Sequence, residues 1–132
     1  FKASALCNGD FRSDVNEQPG SASVVQAVSR TPTGIGYSGM GFQTSGIRPL
    51  PLARREGEPF VAATAANAIA GTYPLSRYLY LYLNHPPGTA FAPLQREFLR
   101  FVLSREGQSL VLRDGYVPLP AKVAARERLR VP

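Results

Sequence analysis

Ser76-Arg77-Tyr78-Leu79-Tyr80-Leu81-Tyr82-Leu83-Asn84 is the stretch whose reading decides the fold. Tyrosines 78, 80 and 82 alternate with leucines 79, 81 and 83. A repeat of two residues is the period of a β-strand, not of a helix. Both faces are bulky, which predicts a strand at least half covered on each side. His85-Pro86-Pro87-Gly88 ends the strand, because proline cannot donate to a ladder.

Downstream of this strand the period changes. Pro93 suits the first position of a helix. Leu94, Phe98, Phe101 and Val102 follow the helical spacing i, i+4, i+7, i+8. Ser104 predicts the cap of a second helix, which holds Leu110 and Val111 and ends at Gly115. Val117 to Pro120 is extended, and Ala121 to Leu129 is a last amphipathic helix. Upstream, residues 1–7 read as the end of a helix, stopped at Asn8-Gly9-Asp10. Gly20-Ser21-Ala22-Ser23 opens another helix, with Val24, Val25 and Val28 as its apolar stripe and Arg30-Thr31-Pro32 as its stop. Ile35 to Ser38 and Ile47 to Leu52 read as short strands, the second at a sheet edge because of Pro49 and Pro51. Gly39 to Phe42 is a loop or short helix. Ala62 to Ala70 is alanine-rich and helical, with Gly71 just past its end. Helices alternating with short strands define the α/β class. A break falls near Thr72-Tyr73-Pro74.

The composition agrees with a folded domain. The chain has 132 residues, 44% of them hydrophobic, which is material for a real core. No apolar run approaches the roughly 20 residues of a membrane helix. Phe1 to Leu6 lacks the basic and apolar regions of a signal peptide, and the chain opens inside a structural element, which implies a processed, truncated or cleaved product. The formal charge is +6, which suits solubility or attraction of an anion. A basic nucleic-acid-binding domain is the competing class. However, the charges form no single patch, and the densest cluster, Lys122, Arg126, Arg128 and Arg130, reads as a solvated helix face. Cys7 is the only cysteine, so neither an internal disulfide nor a cysteine-based metal site is expected.

Few residues carry chemistry. Gly34-Ile35-Gly36-Tyr37-Ser38-Gly39 has the letters of a dinucleotide loop but the wrong context, since the motif belongs between a strand and a helix. His85, the only histidine, sits in a proline-rich turn without a nucleophile motif. The carboxylates are scattered and mostly neighbour arginines. No catalytic set, metal site or cofactor is therefore expected, and the reading is of a non-enzyme. Gly20, Ser21 and Ser23 differ. A helix start of this kind offers free N–H groups, hydroxyls and the positive end of a helix dipole, which together make an oxyanion site. Its plainer use is ordinary capping.

The segments Gly20 to Val28, Gly34 to Gly39, Tyr73 to Tyr80, Phe98 to Gln108 and Gly115 to Pro120 together resemble the periplasmic phosphate-binding proteins of ABC importers. The resemblance implies the C-terminal portion of a two-lobed periplasmic-binding-protein (type II) fold, with mixed sheets flanked by helices. On that reading residues 1–73 are a portion of the second lobe, 74–84 the crossing strand or hinge, and 85–132 the portion completing the first lobe. The implied ligand is inorganic phosphate, or another oxyanion such as sulfate or molybdate. The implied partners are an ABC transporter membrane permease and the missing N-terminal half or a second copy of the chain, with no nucleic acid. The implied location is the periplasm. The family's main phosphate loops lie upstream, including an Arg followed by Ser-Gly-Thr. Thr44-Ser45-Gly46 has another order and context. Little phosphate binding is therefore expected of this chain alone, with Gly20, Ser21 and Ser23 as the near-site residues.

Overall fold

The computed structural model describes residues 1–86 and 88–131. Pro87, within the predicted strand break, and Pro132, the last residue of the predicted 85–132 portion, lie outside the described residues. The chain packs as two units, Phe1–Arg77 and a second beginning at Tyr78.

The first unit holds α1 (Lys2–Ala5), α2 (Ser21–Ser29), a single 3-10 turn (Met40–Phe42) and α3 (Ala65–Ile69). The valines of α2 form its packing stripe, and Val25 is buried. The extended segment around Gly36 lies directly on that stripe. A Cβ at Gly36 would stand 2.9 Å from Val24 Cγ1 and 3.0 Å from Val28 Cγ2, so glycine is what permits the approach. Ser38 Oγ fixes the same segment by donating to the Ser21 carbonyl at 3.0 Å. Next to it, the Phe1 and Tyr37 rings stack nearly parallel with centroids 4.1 Å apart, and Phe11 lies 6.1 Å from both.

Helix α3 is short because its ends are chemically marked. Thr64 Oγ1 accepts the Asn67 N–H at 3.2 Å, a side-chain N-cap. Gly71 takes φ +67°, and the N–H groups of Thr72 and Tyr73 fold back to the Asn67 carbonyl at 3.0 and 3.3 Å. Tyr73 O–H donates to the Leu50 carbonyl at 3.2 Å. Partial burial pushes its phenol pKa upward.

The second unit holds α4 (Pro93–Val102), α5 (Arg105–Arg113) and α6 (Ala121–Arg128). Pro93 occupies the first turn of α4, as its sequence position predicts. Ser104 Oγ accepts the Gly107 N–H at 3.1 Å and caps α5. Gly115 ends it with φ +80°. Gln108 joins the elements of this unit. Its Nε2 donates to the Val102 carbonyl at 2.8 Å, and its Oε1 accepts the Leu119 N–H at 2.7 Å. The apolar centre is Leu99, Ala124 and Val131, all buried.

The strands are where expectation and structure part. Among the described residues the only β pairing is an isolated antiparallel bridge, Leu52 to Val61, with both N–H to C=O distances 2.9 Å. Residues 35–38, 47–52 and 76–84 form no ladder, so the mixed sheets expected of the α/β class are not present here. Tyr80 and Tyr82 are 66% and 91% exposed, and Leu79 and Leu81 66% and 58%, where half-covered faces were predicted. The reason is physical. A helix satisfies its backbone groups within itself, whereas a strand needs a neighbour. These segments keep the strand-like alternation of their sequence, and Leu52 to Val61 is the only β pairing among the described residues.

Candidate functional site

The start of α2 is built from Gly20 upward. Gly20 has φ 176° and ψ 172°, extended backbone that leads straight into the first turn. The first helical bond runs from Val24 N–H to the Gly20 carbonyl at 3.1 Å. The N–H groups of Ser21, Ala22 and Ser23 therefore have no carbonyl one turn earlier to bond within the helix. No side chain caps this end, and its first turn carries no carboxylate. Space above Gly20 is open, with no atom within 4 Å of where its Cβ would stand. Ser21 and Ser23 are half-buried, and Val25 anchors the turn beneath them.

The three predicted site residues thus come together on one helix turn. Three N–H donors and two hydroxyls, with the positive end of the helix dipole, suit an oxyanion held by neutral donors.

The remaining chemistry-bearing residues lie elsewhere. His85 stacks on Phe91 with centroids 4.1 Å apart, and its Nε2 lies 3.0 Å from the Thr89 carbonyl oxygen. Cys7 is exposed. Among the described residues no group of His, Cys, Asp or Glu side chains is arranged to hold a metal ion. Glu127 accepts from Arg126 and Arg130, both at 3.0 Å, and the Arg126 bond is the main reason its carboxyl is held below the usual range. Glu106 is held low first by its backbone N–H, then by Ser104. In the second unit α5 and α6 frame a groove of about 660 Å³, lined in part by Leu103, Leu112, Leu119 and Ala124 with Arg105 and Arg128. Sequence reading did not anticipate the Gln108 clamp beneath that groove. Its one signal was the run Ser104-Arg105-Glu106-Gly107-Gln108, where a capped first turn places Gln108 toward the chain that returns.

Comparison with known proteins supplies the larger frame. A protein family described as a PBP superfamily domain matches residues 8–106. The phosphate-binding protein PstS of Pseudomonas aeruginosa is 56% identical over 126 residues, which are 96% of this chain and 39% of that protein. Protein SphX of Synechococcus elongatus is 31% identical over 98% of this chain and 39% of its own length. The phosphate-binding protein PstS 2 of Streptococcus agalactiae is 29% identical over 83% of this chain and 35% of its own length. The chain therefore spans well under half the length of the curated relatives it matches.

Proposed function

Because this chain belongs to the PBP superfamily, we propose that it is the C-terminal portion of a phosphate-binding receptor that serves an ABC-type importer in the periplasm. The observation that carries the reading is the 56% identity, over 96% of the chain, to a protein named for phosphate binding. In this reading the chain is no enzyme. It lends one wall of the anion site, and the rest of a two-lobed receptor supplies the main ligands. Phosphate and the membrane permease are its proposed partners.

The α2 start is the proposed wall. A receptor of this kind must strip water from its anion and discriminate by leaving donors unpaired when the wrong anion enters. Backbone N–H groups and hydroxyls do this without committing a counter-charge. Residues 1–73 are assigned to the second lobe, 74–84 to the crossing strand and 85–132 to the first lobe, with the paired sheets completed by the rest of the receptor. The alternation at 78–83 supports that assignment.

The wall can be tested at Gly20. The variant is Gly20→Ala, carried by this chain after it replaces the matching segment of the Pseudomonas aeruginosa protein. The new methyl meets no atom within 4 Å, so the melting temperature should not change. Phosphate affinity should fall by roughly tenfold, because the methyl stands where the anion approaches the N–H groups. Unchanged affinity would remove the α2 start from the site.

A further inference from the structure

We propose that Asn8 is a site of spontaneous chemical modification. Its side-chain amide is lost to the backbone nitrogen of Gly9, leaving aspartate and isoaspartate, at a rate set by opening of the turn that ends α1. This inference goes beyond the receptor reading and does not depend on it.

Every atom the reaction uses belongs to Asn8, Gly9 or water. The Gly9 amide nitrogen gives up its proton to solvent base and attacks Cγ of Asn8. The bond from Cγ to Nδ2 breaks, and Nδ2 takes a proton from solvent and leaves as ammonia. A cyclic imide remains. Water then adds to one of its two carbonyl carbons, the C–N bond there breaks, and the nitrogen regains a proton. Opening at Cγ leaves aspartate in an ordinary backbone. Opening at the Asn8 backbone carbonyl leaves isoaspartate, whose main chain is one methylene longer. Nothing is oxidised or reduced.

The chain offers Asn8, Asn16, Asn67 and Asn84 to this chemistry, and only Asn8 is followed by glycine. Glycine has no Cβ to crowd its own nitrogen, and it accepts the backbone angles that ring closure demands. The other three precede Glu17, Ala68 and His85. The Asn67 amide is also anchored, because its Nδ2 donates to the Ala62 carbonyl at 2.9 Å.

The turn around Asn8 acts as a gate. Gly9 N–H donates to the Leu6 carbonyl at 2.7 Å, and Asn8 N–H donates to the Lys2 carbonyl at 3.1 Å. While the first bond holds, the attacking nitrogen keeps its proton. The hold is weak. Cys7 and Asn8 take φ of 50° and 63°, the left-handed region that side chains disfavour. Helix α1 has four residues and buries none of them. A helix so short has little stability of its own, and such ends open at low cost. The product reinforces the opening. The extra methylene of isoaspartate falls between the two N–H groups that close the turn, so both bonds cannot re-form together. The new carboxylate also stands close in sequence to Asp10, which already pairs with Lys2 Nζ at 2.5 Å.

The test incubates the 132-residue chain in mildly alkaline buffer, with and without denaturing urea. Trypsin places each of the four asparagines on a different peptide, Asn8 on residues 3–12. Mass spectrometry then scores the change from amide to acid, and chromatography separates aspartate from isoaspartate. In the folded chain Asn8 should convert at least about tenfold faster than any other asparagine. Urea should raise its rate several-fold by holding the turn open. In urea, where folding no longer matters, Gly9→Ala should convert about tenfold more slowly than the parent. Conversion at Asn8 no faster than at Asn16, or an unchanged rate in Gly9→Ala, would overturn the proposal. Equal rates with and without urea would overturn the gate.

Discussion

Gly107→Ala is expected to disrupt the unit that begins at Tyr78, with a loss of about 3 kcal/mol or more. Gly107 is buried where α4 turns into α5. A Cβ there would stand 2.2 Å from the Phe101 carbonyl oxygen and 3.0 Å from the Val102 carbonyl oxygen. Both are backbone atoms, so no side chain can swing aside to relieve the contact. The turn itself would have to open. That would break the bond from Ser104 N–H to the Phe101 carbonyl, 2.9 Å, and the cap in which Gly107 N–H donates to Ser104 Oγ, 3.1 Å. Domains of this size are stable by only several kcal/mol, so the loss takes most of the margin. Urea denaturation followed by far-UV circular dichroism measures it. A variant that unfolds at the same urea midpoint as the parent chain would show that the α4–α5 corner is looser than its geometry implies.

Gln108→Ala is expected to cost about 2 kcal/mol. One amide holds two chain segments. It donates to the Val102 carbonyl at the end of α4 and accepts from Leu119 ahead of α6. Alanine removes both bonds and leaves a part-buried carbonyl and a part-buried N–H without their partner. The asymmetry matters, because an orphaned polar group costs more than its hydrogen bond contributes net. Gln108→Glu keeps the acceptor for Leu119 and loses the donor to Val102, so it should fall between alanine and the parent. The urea midpoints should rank parent, glutamate, alanine. Equal midpoints for all three would mean that the 117–120 segment is held by its apolar contacts alone.

The helices were legible because their signals are local. Pro93 opens α4, Ser104 caps α5, and Gly71 and Gly115 take the positive φ angles that end α3 and α5. Each of these acts within about one turn of the residue that carries it. The strands were legible as a period of two in the sequence, and the pairing that would make them strands was not. Tyr78 to Leu83 alternates as a strand does, yet what lies beside it is a long-range matter that no window of residues contains. The α2 start was legible for the same reason as the caps, since a Gly-Ser run before an apolar stripe marks free N–H groups by itself. Gln108 was not, because its two bonds reach back six residues and forward eleven. Nor was the stacking of Phe1 on Tyr37, which tertiary folding alone brings together.

The central claim is that these residues are a working portion of a phosphate receptor, and one titration tests it most directly. The chain replaces the segment it matches in the Pseudomonas aeruginosa phosphate-binding protein, and the purified product is titrated with inorganic phosphate and with sulfate by calorimetry. The account predicts saturable phosphate binding at micromolar concentration or below, and no sulfate binding in the same range. A folded product that binds neither anion, or binds sulfate as readily as phosphate, would contradict it.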